Sequence, residues 1–209
     1  AALYFMEKND LGIHTEMITS SMAKLAEAGV VKGKKKTLHR GKIIGNFALG
    51  SQELYDFIDQ NPAVWLMRGS YTNDPYVIAQ NDNMISINSA IQVDMMGQIC
   101  SESMGPIQYT GTGGAADFAI GANHAKGGKS IIAIRSTAKK GTISTIQPIL
   151  TPGSIVSISR NDIDYIVTEY GIAKMRGVPV SGRVENLINI AHPDFRDMLR
   201  AGAEQYKLW

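Results

Sequence analysis

Cysteine is almost absent from this chain. Cys100 is the only one among 209 residues, which excludes an internal disulfide and a zinc site built on several thiolates. A single thiol suits a reducing cytosol, so we expect a cytoplasmic protein. No run of eighteen apolar residues occurs, and no segment is predicted to cross a membrane. The four histidines are scattered without metal-binding spacing, so no metal is expected.

Neither positive nor negative charge is in large excess. The formal net charge is only +2, which does not indicate a nucleic-acid partner. The one basic run, KGKKK at 32–36, is interpreted as a solvated turn. Hydrophobic residues make up 44% and charged residues 19% of the chain, as is typical of a globular protein with a buried core. The first residues, AALYFMEK, lack an initiator Met and start inside a helical pattern, so we expect a fragment of a longer protein.

Short β-branched runs alternate with helical patterns along the chain. Such alternation predicts a largely parallel sheet covered by helices, and consecutive strands within 84–110 predict an antiparallel part. The predicted class is therefore α/β, a single domain over 1–209 with a mixed, mostly parallel sheet and helices on both faces. Strands are predicted at 11–15, 42–49, 63–67, 84–94, 130–136, 154–159 and 165–170. Helices are predicted at 18–29, 51–60, 114–125, 171–176, 182–191 and 193–205.

The segment YTGTGGAADFAIGA, residues 109–122, carries a glycine-rich turn between a β-prone run and a helical pattern. Glycine allows the backbone to approach a ligand closely, and the amides at the start of a helix can bind an anion. Gly111, Gly113 and Ala116 also match the G-x-G-x-x-A pattern of dinucleotide sites. The same turn could serve the fold alone, with Asp117 placed to suit the helix dipole.

Two features oppose a dinucleotide site. The pattern lies in mid-chain, and the next strand, SIIAIRS at 130–136, ends without an acid for a ribose hydroxyl. Arg135 could instead accept a 2′-phosphate, so an NADP-binding module stays open as an alternative. No Walker A sequence and no G-x-S-x-G nucleophile elbow is present.

A glutamate ends the short apolar stretch DLGIHTEM, residues 10–17. Glutamate is a poor strand former and is costly to bury without a partner. Glu16 could cap the following helix, or its carboxylate could attack an activated acyl group. Backbone amides of the glycine-rich turn could then stabilise the tetrahedral intermediate. Together the two features favour acyl transfer.

Seven ordered segments resemble the C-terminal half of the acetyl-CoA hydrolase/transferase family, and within it the 4-hydroxybutyrate CoA-transferases. The similarity runs from Asp10 to about Leu199 and implies a NagB/RpiA/CoA-transferase-like fold. The segments, in order, are DLGIHTEM, YTNDP, INSAIQVDMMGQ, GTGGAADFAIGA, GGKSIIAIRST, VTEYGIAKMRG and AHPDFRDML.

The resemblance implies a reaction and a set of site residues. Glu16 matches the glutamate that attacks an acyl-CoA thioester and then carries CoA as a glutamyl thioester, before CoA passes to a small carboxylic acid such as 4-hydroxybutyrate, acetate or butyrate. The Gly111 amide is the predicted oxyanion donor. Coenzyme A enters as the acyl-CoA substrate, and the residues predicted to bind it are Ile87, Asn88, Gly111, Gly113, Gly114 and Lys129.

Several alternatives stay open. Glu169 in VTEYG and Glu102 in CSES are competing acids, and we interpret Glu169 as structural, satisfying helix amides at 171–174. Members of the family have a second, N-terminal domain that is not recognisable in this chain, so the fragment could be inactive alone. We expect a surface meant for that domain to favour a homo-oligomer. The other interpretations are a hydrolase that uses Glu16 and a CoA-binding module without this chemistry.

Overall fold

The computed structural model of the protein describes residues 2–209, with side chains from Tyr4 onward. Its contacts fall into two units. The first contains the residues up to Met84 together with His124–Gly127, and the second contains Ile85–Asn123 and Gly128–Trp209. This division is finer than the single domain expected from the sequence, and the domain assignment itself stays a prediction.

The first unit is built on short parallel strands. β1 pairs with β3 and β2 pairs with β4, both in parallel. Apolar side chains of these elements form a buried cluster around Ile18, Ile43 and Leu54, and their removal from water stabilises the unit. Its elements are α1 (Ala2–Phe5), β1 (Met17–Thr19), α2 (Ser20–Glu27), β2 (Ile43–Gly45), β3 (Phe47–Leu49), α3 (Gln52–Ile58), β4 (Val64–Leu66), α4 (Gly69–Thr72) and α5 (Pro75–Ala79).

The second unit carries the larger core, which includes Ile132, Ile166 and Leu187. Most of its strands are short. Helix α6 lies between β9 and β10 in the chain, and α7 and α8 follow β15. Its elements are β5 (Ile85–Asn88), β6 (Gln92–Asp94), β7 (Ile99–Cys100), β8 (Ser103–Met104), β9 (Ile107–Gln108), α6 (Ala115–His124), β10 (Lys129–Ala133), β11 (Thr137–Ala138), a 3₁₀ turn (Lys139–Gly141), β12 (Ile143–Ser144), β13 (Ile146–Gln147), β14 (Tyr165–Thr168), β15 (Gly171–Lys174), α7 (Val180–Ile190), a 3₁₀ turn (Pro193–Phe195) and α8 (Arg196–Gln205).

The main sheet of the second unit has the order β15-β14-β10-β5. β5, β10 and β14 run parallel, so their carboxyl ends meet at one edge, whereas β15 is antiparallel to β14. A three-stranded sheet, β13-β6-β7, and the hairpins β8-β9 and β11-β12 supply further antiparallel pairs. The structure thus confirms a mixed α/β fold with mostly parallel sheets, and it confirms the antiparallel part within 84–110.

Three predicted elements were wrong or displaced. Residues 171–176 are not a helix, because β15 turns back on β14 directly after Glu169 and Tyr170. The run 154–159 forms only a bridge from Ile158 to Ile99. The predicted strand 11–15 is reduced to bridges at Leu11 and His14, and the regular strand begins at Met17 instead. Short apolar runs do not distinguish helix from strand by periodicity alone, which accounts for the first of these errors.

In the part of the chain that the structure describes, no helix is both long and apolar enough to cross a membrane.

Candidate active site

Glu16 lies at a bend immediately before β1, rather than at the end of a strand. Its backbone carbonyl accepts hydrogen bonds from the amides of Asn46, at 2.8 Å, and Phe47, at 3.1 Å. These bonds fix the bend against the junction between β2 and β3. The side chain is half-buried, so its carboxylate extends from a firmly held backbone into a partly enclosed position.

Asn73 holds the carboxylate of Glu16. Its amide nitrogen Nδ2 donates to Glu16 Oε1 at 3.0 Å, and it directly follows α4. The next residue, Asp74, caps α5 by accepting from the amide of Tyr76, which stabilises the start of that helix. Among the described residues no group donates to Asn73 Oδ1, although that atom is buried. The contact between Asn73 and Glu16 was not predicted from the sequence.

His14 connects the end of α4 to the segment that precedes Glu16. Its Nε2 donates to the carbonyl of Thr72 at 2.8 Å, and the ring is buried. Burial lowers the pKa of His14, the Thr72 bond opposes this, and electrostatic repulsion from Lys36 and His39 lowers it further. The ring is therefore neutral near pH 7. Because Asn73 follows Thr72, this bond sets the position from which Asn73 reaches Glu16.

Lys36 is buried against the segment that precedes Glu16. Its Nζ donates to the carbonyls of Ile13 and Lys42, each at 2.8 Å. A Cβ at Gly12 would lie 2.4 Å from Lys36 Cγ, so only glycine leaves room for the lysine stem. Burial lowers the pKa of Lys36 from 10.5 to about 8. The amine thus links the segment that precedes Glu16 with the start of β2.

The glycine-rich turn belongs to the second unit and precedes α6. Gly111 is exposed, its φ lies outside the left-handed region, and a Cβ there would meet nothing within 4 Å. The fold itself therefore does not require glycine at this position. The buried Glu102 holds the turn, because its Oε2 accepts from Thr112 Oγ1 at 3.1 Å and its carbonyl accepts from the Tyr109 amide at 2.8 Å. Glu102 supports the backbone of the loop.

The predicted CoA contacts Ile87 and Asn88 end β5. Ile87 is 52% exposed, and Asn88 donates to Ser86 Oγ at 3.0 Å. Lys129 begins β10 opposite Ile85, whereas Asn88 lies opposite Ile132. Three residues of strand, about 10 Å, therefore separate the level of Lys129 from that of Asn88. The structure does not bring Lys129 to the edge where β5 ends.

Comparison with known proteins identifies the family. The sequence profile of the acetyl-CoA hydrolase/transferase C-terminal domain matches residues 50–203. The chain belongs to the acetyl-CoA hydrolase/transferase family. It is 54% identical, over 94% of its length and 46% of the relative's, to the 4-hydroxybutyrate coenzyme A transferase of Clostridium kluyveri. It is 50% identical, over 96% of its length and 46% of the relative's, to the succinyl-CoA:cyclohexane-1-carboxylate CoA transferase of Geobacter metallireducens.

Among solved structures, the crystal structure of RipA from Yersinia pestis superposes with a TM-score of 0.95. It is 43% identical in sequence, and the match covers 100% of this chain and 47% of that one. The chain thus spans about half the length of the curated relatives it matches.

Within this acetyl-CoA hydrolase/transferase fold, Glu169 is placed differently from the sequence interpretation. No helix follows it, so it does not satisfy helix amides. Its Oε1 accepts from Ser136 Oγ at 2.6 Å and its Oε2 from the Ser136 amide at 3.0 Å. Burial alone would raise the pKa of Glu169, but the bonds from Ser136 and the charge of Arg135 outweigh it and lower the pKa. Glu169 is therefore a firmly ionised carboxylate.

Within the described part of this family member, no group of three or more His, Cys, Asp or Glu side chains is arranged to hold a metal ion.

Proposed function

We propose that the chain is the C-terminal half of a CoA-transferase that moves CoA from an acyl-CoA to a small carboxylic acid through a glutamyl-CoA thioester on Glu16. The observation that carries this proposal is the half-buried carboxylate of Glu16, held by the Asn73 amide at 3.0 Å. A carboxylate becomes an effective nucleophile when its position is fixed against the reacting carbonyl. Family membership supports the reaction class.

The proposed reaction begins when a carboxylate oxygen of Glu16 attacks the thioester carbon. The carbon–sulfur bond breaks, CoA leaves as the thiolate, and an acyl-glutamyl anhydride remains. The thiolate then attacks the glutamyl carbonyl and releases the first acid as a carboxylate, which leaves glutamyl-CoA. A second carboxylate repeats these steps in reverse, so the new acyl-CoA departs and Glu16 is restored.

Asn73 has two uses in this scheme. Its amide N–H positions the Glu16 carboxylate for the first attack. When the thiolate later attacks the glutamyl carbonyl, negative charge develops on a Glu16 oxygen, and the same N–H stabilises that charge. A donor that is already in place requires no reorganisation during the reaction.

The second unit supplies backbone donors and CoA contacts in this proposal. We assign the Gly111 amide to the thioester oxygen during the first attack. The open space above Gly111 supports this role, because glycine there serves close approach rather than the fold. Gly113, Gly114, Ile87 and Asn88 are assigned to the CoA chain. Lys129 stays a prediction, with the amino end of β10 as its observed place.

The remaining half of the protein is part of the proposal. Because the chain spans about half of its curated relatives, we assign it a preceding N-terminal domain, and turnover is expected only from the full-length protein. Self-association also stays a prediction. The family includes hydrolases by its description, and a hydrolase would use Glu16 in the same first step but release the acyl group to water.

The test is a mass measurement on the full-length protein that contains this chain. The protein is mixed with acetyl-CoA or butyryl-CoA without an acceptor acid and then treated with borohydride. Borohydride reduces a glutamyl thioester to the alcohol, so the peptide that contains Glu16 is expected to lose mass. The Glu16→Gln variant is the matched control and should show no change.

Consumption of acyl-CoA without a mass change on that peptide would exclude Glu16 as the nucleophile. An adduct on the Glu169 peptide would assign the reaction to that acid instead. Transferase and hydrolase are separated by adding the acceptor acid. In a transferase new acyl-CoA appears, whereas in a hydrolase free CoA accumulates at the same rate with or without it.

A further inference from the structure

Helix α4 leads directly into Asn73, and it contains only the four residues Gly69–Thr72. A helix this short is not stable through its own backbone hydrogen bonds. Its position, and with it the position of Asn73, therefore depends on contacts with the rest of the first unit. The bond from His14 to the carbonyl of Thr72 is one such contact, but a single bond at the end of a helix does not fix its orientation.

His39 supplies a second contact to α4, through the side chain of Tyr71. The ring nitrogen Nε2 of His39 lies 2.7 Å from the hydroxyl oxygen of Tyr71, which is hydrogen-bonding distance. Burial and the charge of Lys36 lower the pKa of His39, so the ring is neutral near pH 7 and can accept the hydroxyl proton. Tyr71 immediately precedes Thr72. Consecutive residues of α4 are thus bonded to histidines from two earlier segments of the chain.

The ring of His39 also contacts the ring of Trp65. The two ring centroids lie 5.6 Å apart at an interplanar angle of 61°, and the ring of Tyr71 is tilted against His39 at 5.8 Å. Edge-on and tilted contacts between rings are favourable. Trp65 belongs to β4, which pairs with β2, and the Nζ of Lys42 lies 4.9 Å from the centre of its ring. His39 therefore joins α4 to the paired strands β2 and β4.

The backbone at His39 has an unfavourable conformation. Its φ is 53°, in the left-handed region that side-chain-bearing residues seldom adopt and that glycine adopts without cost. The turn that contains it is closed by the amide of Lys42, which donates to the His39 carbonyl at 3.1 Å. Glycine at this position would relieve the strain but would remove the imidazole. Strain that persists in a folded protein is concentrated at functional sites, which supports a use for the imidazole.

Residues 36–42 contact both segments that carry the hydrogen bond between Glu16 and Asn73. Lys36 donates to the backbone carbonyl three residues before Glu16, at 2.8 Å. His39 bonds to the side chain two residues before Asn73. The turn is therefore placed to set the distance between the carboxylate and the amide that holds it.

We propose that His39 is a positioning residue for Glu16, because it holds α4 through Tyr71 and so keeps Asn73 bonded to the carboxylate. The assignment rests on the proposed function, since it takes Glu16 as the nucleophile. His39 acts through two other residues, so its loss should slow the attack by Glu16. It should not weaken the binding of acyl-CoA, which is assigned to the second unit. A fall in kcat at constant KM is the expected signature.

The test compares kcat and KM for acyl-CoA in variants of the full-length protein. Tyr71→Phe removes the hydroxyl and keeps the ring, so kcat should fall about fivefold, the factor that corresponds to one neutral hydrogen bond, with KM unchanged. His39→Asn should give the same decrease, because asparagine tolerates the left-handed backbone but its shorter side chain does not reach Tyr71. Tyr55→Phe, at a 42% exposed tyrosine of α3, is the matched control and should retain full activity.

A double-mutant cycle with Asn73→Ala separates positioning from a general loss of structure. If His39 acts through Asn73, Tyr71→Phe should change kcat by less than about twofold when residue 73 is already alanine, because the positioned group is gone. A purely structural bond would lower kcat by the same factor in both backgrounds, and that result overturns the proposal. Unchanged kcat in both Tyr71→Phe and His39→Asn also overturns it.

The borohydride-sensitive adduct on Glu16 keeps this proposal distinguishable from the proposed function. An adduct on Glu16, together with equal effects of Tyr71→Phe in the two backgrounds, overturns the positioning role alone. Absence of the adduct from the unsubstituted protein overturns the proposed function, and the role of His39 falls with it.

Discussion

Glu16 and Glu169 occupy contrasting surroundings in the two units. Glu16 is half-buried and accepts from the side-chain amide of Asn73, which lies 57 residues away in the chain. Glu169 is exposed, and both of its oxygens accept from Ser136. Donors on both oxygens stabilise the ionised form and lower the pKa of Glu169, which also weakens it as a nucleophile. Its environment is better suited to binding than to attack.

The lysines of the two units differ in the same way. Lys36 is buried and donates to two backbone carbonyls, so it belongs to the framework that carries Glu16. Lys139 and Lys140 are exposed on a strained hairpin, where their charge is available to a ligand. The first unit thus uses buried polar groups to fix one carboxylate. The second presents charged side chains and the exposed backbone of the glycine-rich turn at its surface.

The largest expected effect separates the two glutamates. Glu16→Gln removes the nucleophile with little change of shape, so kcat should fall at least about 10³-fold. Glu169→Gln alters a carboxylate that Ser136 holds, and the borohydride-sensitive adduct should still form on Glu16. Steady-state kinetics and peptide mass measure both. The contrast fails if Glu169→Gln loses the adduct.

Asn73→Ala should produce the next largest effect. The loss of a hydrogen bond to a charged group corresponds to a decrease in kcat of about 10-fold to 100-fold, with KM for acyl-CoA little changed. Asn81→Ala is the matched control, because Asn81 is a buried asparagine whose Nδ2 donates to Ile78 O at 3.3 Å. Equal kcat values in the two variants would show that Asn73 acts on folding and not on Glu16.

Gly111→Ala tests the open backbone of the second unit. The added methyl meets nothing within 4 Å, so the denaturation midpoint should stay unchanged or rise slightly. Activity should fall about tenfold, because the methyl occupies the space through which the thioester approaches the amide. Gly45→Ala gives the opposite control, since its Cβ would lie 2.5 Å from Ile18 Cγ1 and should lower stability. A stable and fully active Gly111→Ala would exclude the oxyanion role.

Much of the fold could be predicted from the sequence, because β-branched runs and helical patterns are local signals. The strands near 64, 85, 130 and 165 and the helix near 115 were found in this way. The run GIAK at 171–174 was mistaken for a helix, since four residues do not show a period and the antiparallel pairing with β14 decides its conformation. The division into two units also depends on long-range contacts that no local pattern contains.

The site was predictable only in part. Glu16 and the glycines stood out by residue type and by resemblance, and their roles stay predictions. The contact between Asn73 and Glu16, and that between Ser136 and Glu169, join residues far apart in sequence, so composition and spacing could not reveal them. The positive φ angles of Lys139 and Lys140 could not be predicted either, because lysine seldom adopts positive φ.

The smallest effect on activity is expected at the buried lysine of the first unit, where the prediction concerns stability. The pKa of Lys36 is about 8 in the folded chain and 10.5 when unfolded. Between these values the unfolded state binds more protons, so the free energy of unfolding rises with pH, by up to ~1.4 kcal/mol per pH unit. Below pH 8 the lysine is charged in both states, and its burial opposes folding in full.

Lys36→Met should remove this rise between pH 8 and 10.5, which urea denaturation at a series of pH values measures. At pH 7 the variant avoids the cost of burying a charge but leaves the carbonyl of Lys42 without this donor, so the readout is the pH dependence and not the stability at one pH. Identical pH profiles for the Lys36→Met and unsubstituted proteins would show that Lys36 titrates as it does in water. The contrast between the buried polar groups of the first unit and the exposed hairpin of the second would then not extend to the lysines.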